Sequence, residues 1–223
     1  MISFVIPTIN EEVNIFKTLD LLLKLKNKIS FDVTIVDDNS NDKTIAVATS
    51  FKKKIDIKII NNRHRKGLGF ALMLGFKKAK GKHVIFLDAD RSISLKDINK
   101  IIDLRIVNGI VIGNRYLKKS KIYGNSKSKI FFSKYLNIIV SKFFNIPVID
   151  MSHSFRIISK NINIKSSNLT HPGFFWELTI NAYKSGFAIK EFPVTFYDRE
   201  HGKTKNSIFK MMKSILISVK NLI

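Results

Sequence analysis

The chain reads as an α/β protein in which a mostly parallel central sheet is flanked by helices, and three observations predict it. Short apolar runs, such as residues 31–36 and 84–87, alternate with helical patterns through the first ninety residues, the order that builds a parallel sheet with helices on its faces. The runs are strongly apolar, as strands buried on both faces are. Two of them end in acids, Asp37-Asp38 and, fifty residues on, Asp88-Ala89-Asp90. Parallel strands hold ligands at their carboxyl ends, so both acidic clusters would face one crevice. Adjacent carboxylates repel unless a partner compensates, and hard oxygen ligands suit a divalent cation carrying a diphosphate. The chemistry predicted is nucleotide-dependent transfer.

The elements follow in order. Strands are expected at residues 2–8, 31–37, 55–60 and 83–87, with helices at 11–26, 42–51 and 67–78 between them. Asn41 or Asp42 can cap the second helix, and Gly81 marks the end of the third. After residue 91 the pattern loosens. Strands are read at 110–113, 154–158 and 188–196, and helices at 126–144, 174–184 and 207–223. Residues 1–223 are taken as one domain, in which 1–90 form a nucleotide-binding half and 91–223 an acceptor-binding half with a C-terminal amphipathic helix. The first turn, Pro7-Thr8-Ile9-Asn10-Glu11-Glu12, lacks the glycines of a dinucleotide fingerprint, which argues against a nicotinamide or flavin enzyme.

Composition narrows the class further. Of 223 residues, 45% are hydrophobic and 25% charged, which excludes a disordered chain. There is no cysteine, so disulfides and zinc-thiolate sites are out of reach. Lys plus Arg number 39 against 17 acids, a formal charge of +22, which predicts attraction to anionic surfaces, with part of the excess assigned to compositional drift. The first residues carry no basic, signal-like segment, and no run of about 18 apolar residues occurs. A cytoplasmic protein is the expectation.

Seven short motifs then fall in register: Pro7-x-x-Asn10-Glu11-Glu12; Asp37-Asp38-x-Ser40-x-Asp42-x-Thr44; Gly67-Leu68-Gly69-x-Ala71; Asp88-Ala89-Asp90; Gly113-Asn114-Arg115; Asp150-x-Ser152-x-x-Phe155-Arg156; and Glu191-x-Pro193-Val194 with Arg199-x-x-Gly202-x-Thr204-Lys205. In these the chain resembles the family 2 glycosyltransferases of the GT-A fold, and within them the dolichyl-phosphate mannosyltransferase group, over nearly its whole length. The resemblance implies a single GT-A domain with a Rossmann-like nucleotide-binding half. It implies an inverting transfer of a hexose, mannose from GDP-mannose foremost, to a polyprenyl phosphate at the cytoplasmic membrane face.

The resemblance also assigns roles. Pro7, Ile9 and Glu11 should line the base pocket and Asp37 should meet the base or ribose. Asp88, with Ala89, should lie near the ribose or the diphosphate. Asp88 and Asp90 should hold Mg2+ or Mn2+, Arg199 and Lys205 should close over the diphosphate, and Arg115, Lys129 and Ser133 should take the acceptor phosphate. Asp90 and Arg115 are the expected catalytic pair. A metal beside the diphosphate disperses charge on the leaving nucleotide, and a guanidinium past a strand end can grip phosphate in bidentate fashion. The chain departs from the group at Ser92, where glutamine is common, at Ser154, where glycine is usual, and at Lys129, which replaces an arginine.

A phosphate acceptor is already anionic and needs no base, whereas a sugar hydroxyl does. Glu177, after Trp176, stands alone where hydroxyl-directed relatives carry an acidic pair, which favours phosphate and leaves Glu177 a structural or cation-binding acid. The histidines are read as solvated or structural, with His153 singled out beside the acceptor loop. On the C-terminal helix Ile208, Met211, Met212, Ile215, Leu216, Val219 and Leu222 oppose Lys210, Lys213 and Lys220. Helix 126–144 mixes Phe131, Phe132, Tyr135 and Phe143 with lysines. Both suit peripheral contact with an anionic membrane, with or without a membrane-anchoring subunit. The alternatives are a UDP-sugar donor, a saccharide hydroxyl acceptor, or a non-catalytic basic protein. Nucleic acid is disfavoured, because the aromatics lie in apolar runs and form no stacking platform.

Overall fold

The computed structural model describes residues 1–63, 67–124, 126–198 and 208–223, with side chains of the last segment from 213 onward. The first half runs β1 (Ile2–Thr8), α1 (Glu12–Leu23), β2 (Phe31–Asp37), α2 (Thr44–Ser50), β3 (Ile57–Asn61), α3 (Leu68–Lys78), β4 (His83–Phe86). β1 pairs in parallel with β2 and β4, and β2 with β3. The second half adds α4 (Leu95–Asp103), β5 (Gly109–Asn114), β6 (Lys121–Tyr123), α5 (Lys127–Phe143), β7 (Arg156–Ser159), α6 (Gly173–Lys184), β8 (Ala188–Pro193), β9 (Thr195–Tyr197) and α7 (Ile208–Leu222). One seven-stranded sheet results, ordered β3-β2-β1-β4-β7-β5-β8, with β6 and β9 paired apart from it. β7 alone runs antiparallel to its neighbours, β4 and β5.

Side-chain alternation along each strand feeds two cores. Phe4, Ile6, Val33 and Ile35 point to the face covered by α1, α2 and α4, where Ile15, Leu19, Leu22, Ile98 and Ile101 are buried. Val5, Val84, Phe86, Ile110 and Ile158 point to the other, against Leu72 and Phe76 of α3 and Phe174, Phe175 and Leu178 of α6. Each such side chain contributes about 1.5–3 kcal/mol on burial. α3 lies so close to the sheet that a Cβ on Gly75 would stand 2.3 Å from Val5 Cγ1. A third cluster, Val140, Trp176 and Ile180 with Leu136, Ile215 and Leu222 partly covered, joins α5, α6 and α7.

Three features differ from expectation. α4 is a full helix, started by Ser94, whose hydroxyl accepts the Asp97 N–H and donates to the Asp97 carboxylate. The run 188–196 is two strands: Val194 is buried, its N–H donating to the Asn114 carbonyl, and beyond it the chain leaves the main sheet to pair with β6. Among the described residues of α7 the most buried are Ser214 and Ser218, whereas Leu216, read as part of the apolar side opposite the lysines, is 70% exposed. Small serines win that face because α6 presents Gly173 there, where a Cβ would meet Ser218 Oγ at 2.4 Å and Ser214 Oγ at 2.6 Å.

Candidate active site

The turn after β1 and the turn after β2 are laced together by the residues of their motifs. The Asn10 N–H donates to Ser40 Oγ, that of Glu11 to Thr44 Oγ1 and that of Glu12 to Asp42 Oδ2; in return Asn41 N–H donates to Asn10 Oδ1 and Lys43 N–H to Glu12 Oε2. These bonds satisfy amides at the start of α1 that have no partner inside the helix. Asp42 also accepts from the Thr44 N–H and hydroxyl. Burial pushes its carboxyl up, but these bonds outweigh it and hold it below the usual range. The motifs are therefore first a device for fixing two loops at the carboxyl edge of the sheet.

Above that edge, between β1 and β4, opens a cleft of about 750 Å3. Its walls are Pro7, Thr8, Ile9 and Glu11 after β1, Asp38 after β2, Gly67, Leu68 and Ala71 of α3, and Asp88, Ala89 and Asp90 after β4. Ser154, Leu169, Thr170 and His171 close it on one side, and Lys213, Ser214 and Ile217 of α7 on another. Six expected donor-site residues, Pro7, Ile9, Glu11, Asp88, Ala89 and Asp90, thus line one space.

Asp37 does not line it. It is fully buried and accepts from Thr8 Oγ1 at 2.9 Å, from the Ser40 N–H at 2.8 Å and from Ser40 Oγ at 2.5 Å. The acid that reaches the cleft is its neighbour Asp38, which accepts from Asn62 Nδ2 and the Gly67 N–H. Asp88 accepts from Ser154 Oγ at 2.5 Å, so the serine at this departure orients a cleft carboxylate that glycine could not touch. Asp90 accepts from the Ser92 N–H.

Arg115 points elsewhere than expected. Its Nε and Nη2 donate to the two oxygens of Asp150 at 2.8 and 2.7 Å, its backbone N–H reaches Asp150 Oδ2, and Nη2 also reaches Ser152 Oγ. The fork expected to grip an acceptor phosphate is spent on a carboxylate. Burial works against the charged guanidinium, yet the Asp150 charge and bonds raise its pKa further above the ordinary arginine range. Burial likewise pushes Asp150 up, and the Arg115 charge and bonds more than offset it, leaving it lowered. The Glu191 carboxylate accepts from the Ile149 and Asp150 N–H groups, and Arg156 donates to the Met151 and His153 carbonyls and Thr179 Oγ1. Three motifs of the second half therefore build one buried scaffold around Arg115, and the charge of Asp88 also acts on it.

Ser133 Oγ accepts from the Tyr116 hydroxyl at 2.7 Å, and Lys129 is exposed in the first turn of α5. Neither lines the cleft. Arg199 and Lys205 lie outside the described residues. Glu177 is 1% exposed and accepts from Ser166 Oγ, Ser167 N–H and Oγ, the Asn168 N–H and Asn221 Nδ2. Burial raises it, these donors lower it more, and the carboxylate ties the 166–168 loop and α7 to α6.

The reading from sequence missed Asp38, His171 and the α7 wall. The His171 ring nitrogen bonds the Ser152 carbonyl, and burial, helped by the Arg115 charge, depresses its pKa to about 4. His153 is pushed down to about 3 by the same causes, its Nδ1 on the Gly113 carbonyl. Both are neutral imidazoles. No local signal marks His171 or Lys213, because loop 166–172 and α7 reach the cleft only through their packing on α6.

No group of three or more histidines or acids fit to hold a metal occurs among the described residues. The pair Asp88 and Asp90 nonetheless fits Mg2+ or Mn2+, ions bound through one or two carboxylates with substrate phosphates and water completing the shell. The cleft also needs a cation. Four acids line it, and among the described lining residues Lys213 is the one basic side chain, so a diphosphate would otherwise meet net negative charge.

Residues 3–166 match the model of glycosyl transferase family 2. Over 123 residues, 54% of this chain and 35% of the other, the sequence is 34% identical to a dolichol-phosphate mannosyltransferase of Pyrococcus furiosus. Over 129 residues, 51% of this chain and 39% of the other, it is 30% identical to a dolichyl-phosphate beta-glucosyltransferase of Dictyostelium discoideum. These alignments thus span little more than a third of each curated relative. The fold is that of glucosyl-3-phosphoglycerate synthase from Mycobacterium tuberculosis, solved with Mn2+ and UDP-glucose: TM-score 0.73 at 17% identity, covering 100% of this chain and 78% of that one.

Proposed function

Because the chain belongs to glycosyl transferase family 2, we propose that it is an inverting hexosyltransferase acting on a polyprenyl phosphate at the cytoplasmic face of a membrane, with mannose from GDP-mannose as the first donor to test. The observation that carries the reading is the single cleft in which Pro7, Ile9 and Glu11 stand across from Asp88 and Asp90 at the ends of β1 and β4. In it the nucleoside would lie along residues 7–11 and Asp38, and the diphosphate toward Asp88 and Asp90. Mg2+ or Mn2+ held by Asp88 and Asp90 would supply neutralisation of the charge that develops on the departing nucleoside diphosphate.

One oxygen of the acceptor phosphate attacks the anomeric carbon as the bond to the diphosphate breaks. The nucleoside diphosphate leaves with the electron pair, and the centre inverts. The acceptor oxygen is already anionic, so no proton has to be taken up. The state of Glu177 supports this choice, since a carboxylate surrounded by five donors cannot serve as base for a sugar hydroxyl. Ser154 keeps Asp88 aimed, and Thr170, His171 and Ile217 narrow access for water. Arg115, held by Asp150, interacts electrostatically with Asp88, and Arg199 and Lys205 would complete the diphosphate contacts.

The test is to incubate the protein with Mn2+, a polyprenyl phosphate and GDP-mannose, UDP-glucose or UDP-N-acetylglucosamine, measuring nucleotide release and glycolipid. Product with one donor, lost in Asp90→Ala, is the expected result. Binding of nucleotide without product from any donor would overturn the reading.

A further inference from the structure

α5 carries four large apolar side chains in the open: Phe131 is 61% exposed, Tyr135 50%, Ile139 59% and Phe143 62%. They recur every fourth residue, so they form one ridge that drifts about 40° per step over about 18 Å of helix. The opposite face is fastened down. Val140 and Ser141 are buried, and Asn137 donates to Ser152 Oγ and accepts from Trp176 Nε1. The ridge is therefore presented rigidly, and Phe131 and Tyr135 brace each other with ring centroids 4.2 Å apart.

Charge chooses the occupant. Lys127 and Lys142 are exposed beside the ridge, Lys134 is half-buried along its edge, and the sequence holds no Asp or Glu between Asp103 and Asp150. A second copy docking there would set these lysines against their own equivalents. An anionic lipid surface would accept them while taking the aromatic and aliphatic tips into its headgroup layer.

We propose that α5 lies along the surface of an anionic bilayer, with Phe131, Tyr135, Ile139 and Phe143 inserted at the headgroup level and the lysines paired with lipid phosphates. This deepens the reading of a lipid-borne acceptor and rests on it for the choice of a bilayer. The same helix bears Lys129 and Ser133 at its start, so an acceptor phosphate held at the membrane surface would meet that end of α5.

The experiment sediments the whole chain with phosphatidylcholine vesicles with or without phosphatidylglycerol, in the absence of donor and acceptor. The triple substitution Phe131→Ser, Ile139→Ser, Phe143→Ser should weaken partitioning about tenfold or more, leaving Mn2+-dependent nucleotide binding unchanged as the check on folding. Val13→Ser with Val107→Ser, exposed apolar positions off the ridge, should bind vesicles as the parent does. Lys127→Glu with Lys142→Glu should lose preference for the anionic vesicles. Equal partitioning of the ridge variant and the parent, or a dimer in ultracentrifugation that the ridge variant abolishes, overturns the proposal. Because no turnover is needed, failure of the transferase assay leaves this result standing, and the converse.

Discussion

Asp37 and Asp38 are adjacent acids with opposite tasks, one buried under Thr8 and Ser40 and the other turned to the cleft. The sequence shows two acids at a strand end but not which of them continues the inward alternation. A similar division separates Arg115 from Asp150. Replacing Asp150 by Ala leaves a guanidinium that is only 17% exposed without its carboxylate, so unfolding free energy should fall by about 3–5 kcal/mol in urea titration. Arg115→Met with Asp150→Leu should recover most of it, and a loss no larger in the single variant than in the double would show the pair to be slack. The buried histidines set a pH dependence. Burial, with the Arg115 charge, depresses His153 to about 3 and His171 to about 4. Above pH 6.5 both are neutral folded or unfolded and contribute nothing. Below it the unfolded chain takes up protons the native state refuses, so each costs about 1.4 kcal/mol per pH unit until its folded pKa is reached. His153→Gln should flatten the decline of the melting temperature between pH 6.5 and 4, and a slope unchanged from the parent would remove His153 as its source.

At the scale of elements, the first half was legible because each strand there is a predominantly apolar run and each helix a separate periodic segment. Its strands begin and end within a residue or two of the positions read from sequence. The second half was less so for three physical reasons. α4 carries a capping signal, Ser94 with Asp97, and apolar residues at helical spacing, Leu95, Ile98, Ile101 and Ile102, but at nine residues it is too short for that period to stand out. The break at Val194 carries no turn residue except Pro193. On α7 the most buried described residues are serines, since close approach to Gly173 outweighs the transfer energy that Leu216 and Ile217 would gain. That packing also sets one wall of the cleft. Gly173→Ala should push α7 outward, lower stability by about 1–3 kcal/mol and weaken nucleotide binding. Gly75→Ala, crowding Val5 on the far side of α3, should destabilise comparably with a smaller effect on binding. Equal loss of affinity in both would mean that the α7 wall is not part of the site.

For the whole molecule the decisive quantity is the charge of +22 on 223 residues. The described ion pairs, Lys80 with Asp56 and Arg115 with Asp150, are few against it, and Lys80–Asp56 is exposed and worth little. Most of the lysines therefore repel one another across the surface, a cost the native state bears more than the expanded chain. Salt shortens the reach of that repulsion to about 10 Å at 0.1 M. Raising NaCl from about 0.02 to 0.2 M should raise the melting temperature by a few degrees, where a protein held together by surface ion pairs would lose stability. The same change should act with the opposite sign on the vesicle complex, since the lysines flanking the α5 ridge are attracted to lipid phosphate through the same screened field. Stability rising while partitioning falls over one salt range would trace both to the excess of lysine. If partitioning held constant as the melting temperature rose, the ridge would be binding through its apolar side chains alone and the lysines would only keep the chain soluble.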